Sequence, residues 1–253
     1  MTTITIPDSV NSISILSFDG CNKLRAFYSR FASADNRCLV IDGLLVAFAP
    51  ADLTKYNIPS SVTAIGDYAF YNCHKLTTVT LGNSVKTLGA NCFNLCISLT
   101  TIHLNNVEAI GEFAFFGCEK MTNVNLGALK EIPKRAFSDC ESLTSIELPD
   151  TVTSIGNSAF KYCYNLRSVN IPDEVTSIEE YTFYDCQSLT RISLPDGVTG
   201  IGNYAFANCE NLTSINLPEG LTVLGDHAFS CKARRMLCYG NPYKLRDLQR
   251  WRS

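Results

Sequence analysis

The sequence lacks the long apolar run that a membrane-spanning helix needs. Its longest apolar run, Leu44 to Ala49, has the length of a strand, whereas a span takes about 18 consecutive apolar residues. It also lacks a C-x-x-C motif and holds three histidines, so the usual ligand pattern of a zinc site is missing. Residues 1–7 already have the pattern of a repeat strand and not of a signal peptide. We expect no membrane span, no metal and no cofactor.

What the sequence has is a frame of 22 or 23 residues that recurs along the chain. Self-similarity at this period is typical of a solenoid, in which each unit buries its apolar face against its neighbours. The sequence therefore predicts one elongated domain over residues 1–253. A weaker copy of the frame carries Phe18, and the recurring phenylalanines are Phe70, Phe93, Phe115, Phe137, Phe160, Phe183, Phe206 and Phe229.

One rung, residues 143–165, shows how a unit is expected to fold. Its first part alternates apolar and polar residues, which predicts a half-buried strand, and Pro149 ends it because proline cannot donate to a ladder. Ala159, Cys163 and Leu166 follow at i, i+4 and i+7, the spacing of one face of a short helical turn. We therefore predict an α/β solenoid of stacked rungs with short parallel β-strands and short helical turns.

A glycine follows the second apolar segment in most rungs. Pro133 and Glu179 hold the same position in other rungs, and proline fixes φ near −65°. The glycine is therefore predicted to serve through its missing side chain and not through a positive φ. It recurs at Gly66, Gly89, Gly111, Gly202 and Gly225.

Cysteines also follow the frame, three residues after the phenylalanine. Stacked rungs lie about 4.8 Å apart, and in-register Cβ atoms at that spacing exceed the usual disulfide range of about 3.5–4.5 Å. We predict a ladder of buried thiols that act as small hydrophobic groups, with Cys92 packed beside it. Cys38 and Cys238 fall outside the ladder and are predicted to be exposed. The ladder is Cys21, Cys73, Cys96, Cys118, Cys140, Cys163, Cys186 and Cys209.

The frame breaks in two places. Between Phe18 and Phe70, two apolar runs joined by Asp42-Gly43 predict a β-hairpin with a type I′ turn, which either decorates a rung or docks a partner. At the other end, residues 230–253 hold seven basic residues and one acid. A basic patch can bind nucleic acid, but charges on a short tail are more typical of a solvated cap, which a terminal repeat needs.

These breaks divide the predicted domain into four parts. Residues 1–24 form a degenerate first repeat, residues 25–52 the inserted hairpin, residues 53–230 the regular repeats and residues 231–253 a basic C-terminal cap. Within that cap, Leu245, Leu248 and Trp251 recur three apart, as on one face of a short helix.

The pattern L-x-x-I-x-L-P-x-x-V-x-x-I-G-x-x-A-F-x-x-C-x-x-L resembles the BspA-type leucine-rich repeats of bacterial surface proteins. The resemblance covers residues 1–24 and 53–230, with full-strength copies between Leu143 and Leu212. Members of that family are implicated in adhesion to host proteins. The resemblance implies a cell-surface or secreted location, and the lack of a recognisable export signal leaves a cytoplasmic location open.

In such repeats the polar strand positions line the concave face. Here they are rich in hydroxyl and amide groups, and their few charges gather around Glu147, Arg167 and Arg191. Seven tyrosines cluster instead around the turns on the convex side, where they form an alternative contact face. The candidate binding residues on the concave face are His103, Asn123, Asn125, Glu147, Arg167, Asn170, Arg191 and Asn216.

The concave face offers no catalytic constellation. General acid–base catalysis needs titratable groups within hydrogen-bond reach of one another, and the few on this face are spread over several rungs. We interpret the chain as a non-catalytic module that binds a protein, in adhesion or surface interaction with host or partner proteins, and not nucleic acid. A structural spacer without a specific ligand and a polysaccharide-active solenoid are the alternatives.

Overall fold

The computed structural model describes residues 1–14, 16–18 and 20–231, and this part of the chain contains twenty short strands and no helix. The strands are β1 Thr3–Thr5, β2 Ala26–Tyr28, β3 Cys38–Ile41, β4 Leu44–Phe48, β5 Lys55–Asn57, β6 Ala64–Ile65, β7 Thr78–Thr80, β8 Thr87–Leu88, β9 Thr101–His103, β10 Ala109–Ile110, β11 Asn123–Asn125, β12 Glu131–Ile132, β13 Ser145–Ile146, β14 Ser154–Ile155, β15 Ser168–Val169, β16 Ser177–Ile178, β17 Arg191–Ser193, β18 Gly200–Ile201, β19 Ser214–Asn216 and β20 Val223–Leu224.

The strands stack into a β-solenoid in which each rung has three sides. From β5 onward, the odd-numbered strands lie along one side, which we call the strand face, and the even-numbered strands lie along a second side. On each side they pair in parallel within separate short sheets, such as β5 to β11 and then β13 with β15 on the strand face. The third side is a run of turns around each recurring phenylalanine, which we call the turn face. Pairing is in register, as between Ser145 and Ser168, because the rungs have nearly equal lengths.

The predicted helical turns are wrong, and with them the α/β class. Ser158 and Tyr162 flank Phe160 with φ of 58° and 62°, and a left-handed residue cannot continue a right-handed helix. The N–H groups of Ser158, Phe160 and Tyr162 donate instead to carbonyls of the next rung at 2.9–3.0 Å. The turn face is therefore held by bonds between rungs, and not by the i to i−4 bonds of a helix.

The core is a continuous stack of phenylalanine rings. Successive rings from Phe70 to Phe229 lie 4.9–5.8 Å apart between centroids, with interplanar angles of 14° or less. Phe70, Phe160 and their counterparts up to Phe183 are fully buried. The array is thus tied together by ring contacts that cross every rung boundary.

The first residues of the chain pack a smaller hydrophobic cluster of their own. Leu24, Phe27 and Leu39 form its centre, and Phe18 meets Phe27 edge to face at 5.0 Å and does not join the main stack. Strands β3 and β4 pair antiparallel through Asp42-Gly43, both with positive φ, and β4 continues in parallel into β6. The hairpin therefore links this cluster to the regular rungs.

The recurring glycines are needed for their missing side chains, as the sequence predicts. None of them has a positive φ, and a Cβ added at Gly111 would overlap the backbone nitrogen of Ala90. At Gly202, the added atom would lie 2.6 Å from the nitrogen of Glu180. Adjacent rungs therefore approach each other most closely at this point.

This close approach predicts opposite effects at two neighbouring glycines. We expect Gly202→Ala to lower the free energy of unfolding by about 1–3 kcal/mol, because the backbones of two rungs must move apart. Gly200 is the matched control, since a Cβ there would meet Val223 at 3.9 Å, an ordinary contact. Gly200→Ala is expected to be neutral or to stabilise by about 0.5 kcal/mol. Urea unfolding of both variants tests this, and equal effects would contradict it.

Candidate functional site

The strand face carries all eight candidate residues on its exposed side. Its strands alternate exposed and buried side chains, and the pairing register sets His103 beside Asn125 and Arg191 beside Ser214. The eight exposed residues are His103, Asn123, Asn125, Glu147, Arg167, Asn170, Arg191 and Asn216.

The charges on this face do not join into one cluster. Glu147 and Asn170 follow the paired residues Ile146 and Val169, so Glu147 lies three positions along the strand from Arg167. The ion pairs of the described part of the chain lie elsewhere and do not include Glu147, Arg167 or Arg191. A partner would therefore meet these three charges as separate contacts.

Two of the candidate asparagines are engaged by the protein's own backbone. Asn170 accepts a hydrogen bond from Leu148 N–H at 2.8 Å with Oδ1 and donates one to the Leu148 carbonyl at 2.8 Å with Nδ2. Asn125 Oδ1 accepts from Gly127 N–H at 2.9 Å. Their amides stabilise the edge of the strand face, and this leaves fewer of their polar atoms for a ligand.

The neighbouring threonine column is engaged in the same way. The hydroxyls of Thr77, Thr100 and Thr122 donate to main-chain carbonyls of the preceding rung at 2.9–3.3 Å. Arg167 stands in this column, and its own N–H bonds to Thr144 at 2.9 Å. Arg167 therefore replaces a threonine of this column without disturbing the backbone hydrogen bonds between the rungs.

The thiol ladder does more than fill space. In six rungs the Sγ of the cysteine donates to the carbonyl of the phenylalanine in the preceding rung at 3.1–3.3 Å. Burial raises the pKa of Cys163 and Cys186, so these thiols stay protonated and able to donate. The sequence spacing predicts the buried position but not this hydrogen bond, which depends on the offset between rungs.

Two cysteines depart from prediction. Cys38 is fully buried and not exposed, because the hairpin folds over the core and its Sγ donates to the Tyr56 hydroxyl at 3.1 Å. Cys21 is only half-buried, since the hairpin interrupts the ladder between it and Cys73. Cys238 and the predicted cap helix lie outside the described residues.

The turn face carries an aromatic surface that the sequence predicts only as a cluster. Tyrosine rings contact one another in a chain across the rungs, from Tyr164 through Tyr162, Tyr184 and Tyr181 to Tyr204, at 5.0–5.9 Å between centroids. We call these residues the tyrosine surface. Lys161 Nζ lies 4.7–5.0 Å from the ring centroids of Tyr162, Tyr181 and Tyr184, which is a cation–π arrangement.

Neither a metal centre nor a membrane-spanning helix is found within residues 1–14, 16–18 and 20–231. No group of three or more His, Cys, Asp or Glu side chains could hold a metal ion there. Likewise, no helix in that part is long and apolar enough to cross a membrane.

The sequence model of one protein family matches most of the chain. That family is described as BspA type leucine-rich repeat region (6 copies), and it matches residues 1–38, 46–167 and 130–237. No curated protein matches the chain. The match agrees with the repeat frame and with the resemblance on which the sequence interpretation rests.

Solved structures of bacterial leucine-rich repeat proteins share the fold. A leucine-rich repeat protein of T. pallidum is 27% identical, with a TM-score of 0.63 over 72% of this chain and 86% of that one. A leucine-rich cell surface protein of Faecalibacterium prausnitzii is 26% identical, with a TM-score of 0.56 over 78% and 70% of the two chains. A leucine-rich repeat protein of Eubacterium ventriosum is 24% identical, with a TM-score of 0.61 over 95% and 62%.

Proposed function

The chain belongs to the BspA-type leucine-rich repeat family, and from this membership we propose that it is a non-catalytic module that binds a protein partner, in adhesion or surface interaction. The observation that carries the proposal is the contrast between the two sides of each strand. Inward positions repeat the same kinds of apolar residue, whereas the outward position paired along the strand face changes from Thr101 to Asn123 and from Arg191 to Ser214. A rigid scaffold with variable outward residues suits recognition of a protein surface.

The cavities support binding over catalysis. Two cavities in the described part of the chain hold about 30 and 110 Å³, whereas sites for small molecules usually enclose about 300–1,000 Å³. Together with the spread of titratable groups over the strand face, this favours contacts with a large partner. A cell-surface location is part of the proposal, because the similar Faecalibacterium protein is described as a cell surface protein.

A structural spacer is the second candidate. It is favoured by the hydroxyls and amides of the strand face that bond to the protein's own backbone, such as those of Thr100 and Asn170. A spacer would need these bonds for rigidity and would capture no partner. The two functions therefore differ in one measurable property, the capture of a protein partner.

Charge reversal on the strand face tests the binding function. We expect Arg167→Glu combined with Arg191→Glu to abolish capture of a partner from a panel of purified extracellular host proteins, because both side chains are exposed on this face. The thermal melt is expected to stay unchanged, since surface substitutions change stability by less than about 0.5 kcal/mol.

The matched control reverses two charges away from the strand face, with Lys130→Glu and Lys134→Glu, both exposed. This variant is expected to retain capture. Retained capture by the Arg167→Glu, Arg191→Glu protein would move the site to another surface, and no capture by the unmodified protein would favour the spacer.

A further inference from the structure

Three residues of the tyrosine surface stand where the backbone disfavours them. Tyr162, Tyr181 and Tyr204 have φ of 62°, 57° and 56°, in the left-handed region that Gly, Asn and Asp tolerate best. Equivalent positions of other rungs hold such residues, for example Asn91 at 55° and Asn208 at 59°. The fold therefore does not require tyrosine there, and strained residues that a fold does not require point to function.

The rings also form one continuous surface across the last regular rungs. Tyr181 and Tyr204 stack at 5.0 Å with an interplanar angle of 1°, and Tyr204 continues onto His227 at 4.9 Å. The rungs that contain Asn91 and Arg135 have no tyrosine in these columns. Tyrosine is enriched at protein interfaces because it combines a large apolar ring with a polar hydroxyl.

Four hydroxyls of this surface are available to a partner. Within the part of the chain that the structure describes, the hydroxyls of Tyr164, Tyr181, Tyr184 and Tyr204 form no hydrogen bond. Each can donate or accept in a complex. The surface thus offers polar contacts as well as ring faces and edges.

The charges around Tyr164 select the kind of partner. Burial and the nearby carboxylates of Asp185, Glu141 and Asp139 raise the pKa of Tyr164. None of these three carboxylates takes part in an ion pair of the described part of the chain. An aromatic ring among carboxylates suits a guanidinium, which can stack on the ring and bond to the acids at the same time.

Lys161 shows that these rings already hold a cation. Its Nζ contacts three tyrosine rings, and the carboxylates of Asp139 and Asp185 act on it electrostatically, so part of their charge is balanced within the protein. Four turn segments carry the tyrosine surface, namely residues 134–141, 157–164, 180–187 and 203–210. Together they hold five carboxylates and three basic groups, Lys134, Arg135 and Lys161. The surface therefore keeps an excess of negative charge.

We propose that the tyrosine surface docks a basic, arginine-bearing segment of the protein partner, with the guanidinium against Tyr164 and the carboxylates of Asp139, Glu141 and Asp185. This assignment rests on the proposed protein-binding function and adds the chemistry of the partner. It places the contact on the turn face, whereas the charge-reversal test addresses the strand face.

The test uses fluorescence anisotropy with a labelled peptide of alternating arginine and glycine. The unmodified chain is expected to bind this peptide more tightly than the lysine version, because only the guanidinium stacks well, and not to bind the glutamate version. We expect Tyr164→Gln to weaken arginine-peptide binding about tenfold. Gln187 holds the equivalent position in the next rung, so this variant is expected to melt like the unmodified protein.

Two further variants separate charge from stacking. Asp139→Asn with Asp185→Asn removes two charges at left-handed positions that Asn208 shows to accept asparagine, and it is expected to weaken arginine and lysine peptides alike. The control is Tyr68→Asn, in a distant rung at φ 57°, at the position that Tyr181 and Tyr204 hold in their rungs, and this variant is expected to bind the arginine peptide normally.

Unchanged binding by Tyr164→Gln, or equal binding of arginine and glutamate peptides, would overturn the assignment. If the strand-face variant alone loses partner capture while Tyr164→Gln retains it, the protein-binding function stands and this site falls. If the chain binds the arginine peptide through Tyr164 yet captures no protein, the site stands and the protein-binding function falls.

Discussion

Raising the pH above 9.0, the ordinary pKa of a thiol, is expected to unfold the protein. The thiols with a raised pKa are buried, and burial is the main cause except at Cys73, where the hydrogen bond with Cys96 contributes most. For Cys38 and Cys209 the pKa rises to about 12. The affected residues are Cys38, Cys73, Cys92, Cys118, Cys140, Cys163, Cys186 and Cys209.

The direction follows from the protons that each state binds. Above pH 9 the thiols of the unfolded chain ionise while the buried thiols stay protonated, so the unfolded state is favoured as protons are removed. The contribution of the buried thiols to the free energy of unfolding is fully present below pH 9. It is lost as the pH rises toward the pKa that these thiols have in the folded protein. Each buried thiol lowers the free energy of unfolding by about 1.4 kcal/mol per pH unit in this range. Together the thiols lower it by on the order of 10 kcal/mol per pH unit, which is comparable to the whole stability of a domain.

Circular dichroism recorded against pH measures this transition, with tyrosine ionisation followed separately by ultraviolet absorbance. Cys163→Ser is the informative variant, because serine keeps a donor for the Phe137 carbonyl but does not ionise in this range. The free energy of unfolding of this variant is expected to fall less steeply with pH, because one ionising thiol fewer contributes to the slope. A spectrum that stays native up to pH 12 would contradict the prediction.

We expect Phe160→Ala to lower the free energy of unfolding by about 3–5 kcal/mol. The ring is fully buried and lies between Phe137 at 5.8 Å and Phe183 at 5.5 Å, so its removal opens a cavity and breaks the stack on both sides. Because each rung of a solenoid is stabilised mainly by its neighbours, the loss weakens both adjacent rungs.

Phe113→Ala is the matched control for this substitution. Phe113 is a half-buried phenylalanine of the turn face, whose ring meets Phe116 at 5.9 Å outside the stack. We expect its replacement to cost less than about 1 kcal/mol. Urea unfolding compares the two, and an equal loss in both variants would show that the stack carries no special share of the stability.

Most of the fold can be predicted from the repeat frame alone. The strand around Ile146, the buried ring of Phe160 and the side-chain requirement at Gly202 all agree with the structure. The helical turn failed because i, i+4 and i+7 spacing of buried residues also fits a run of tight turns. What separates the two is the left-handed φ of Ser158 and Tyr162, and this depends on hydrogen bonds to the next rung.

The candidate site could be predicted only in part. The exposure of Arg167, Arg191 and Asn170 follows from the alternation of the strands. The hydrogen bonds that Asn170 makes to Leu148 do not, since they depend on the distance between two rungs. Nor does the sequence show how the tyrosine rings meet, because Tyr181 and Tyr204 are 23 positions apart and touch only when the rungs stack.

The repeat length, the inward positions and the interruptions of the frame follow from the amino-acid sequence, because they depend on a periodicity that any single rung must satisfy. The stacking of the rungs sets what the inward and outward groups do. It made hydrogen-bond donors of the thiols, buried Cys38 beneath the hairpin and joined separate tyrosines into one surface. Each of these depends on the spacing and offset between rungs, which no single repeat contains.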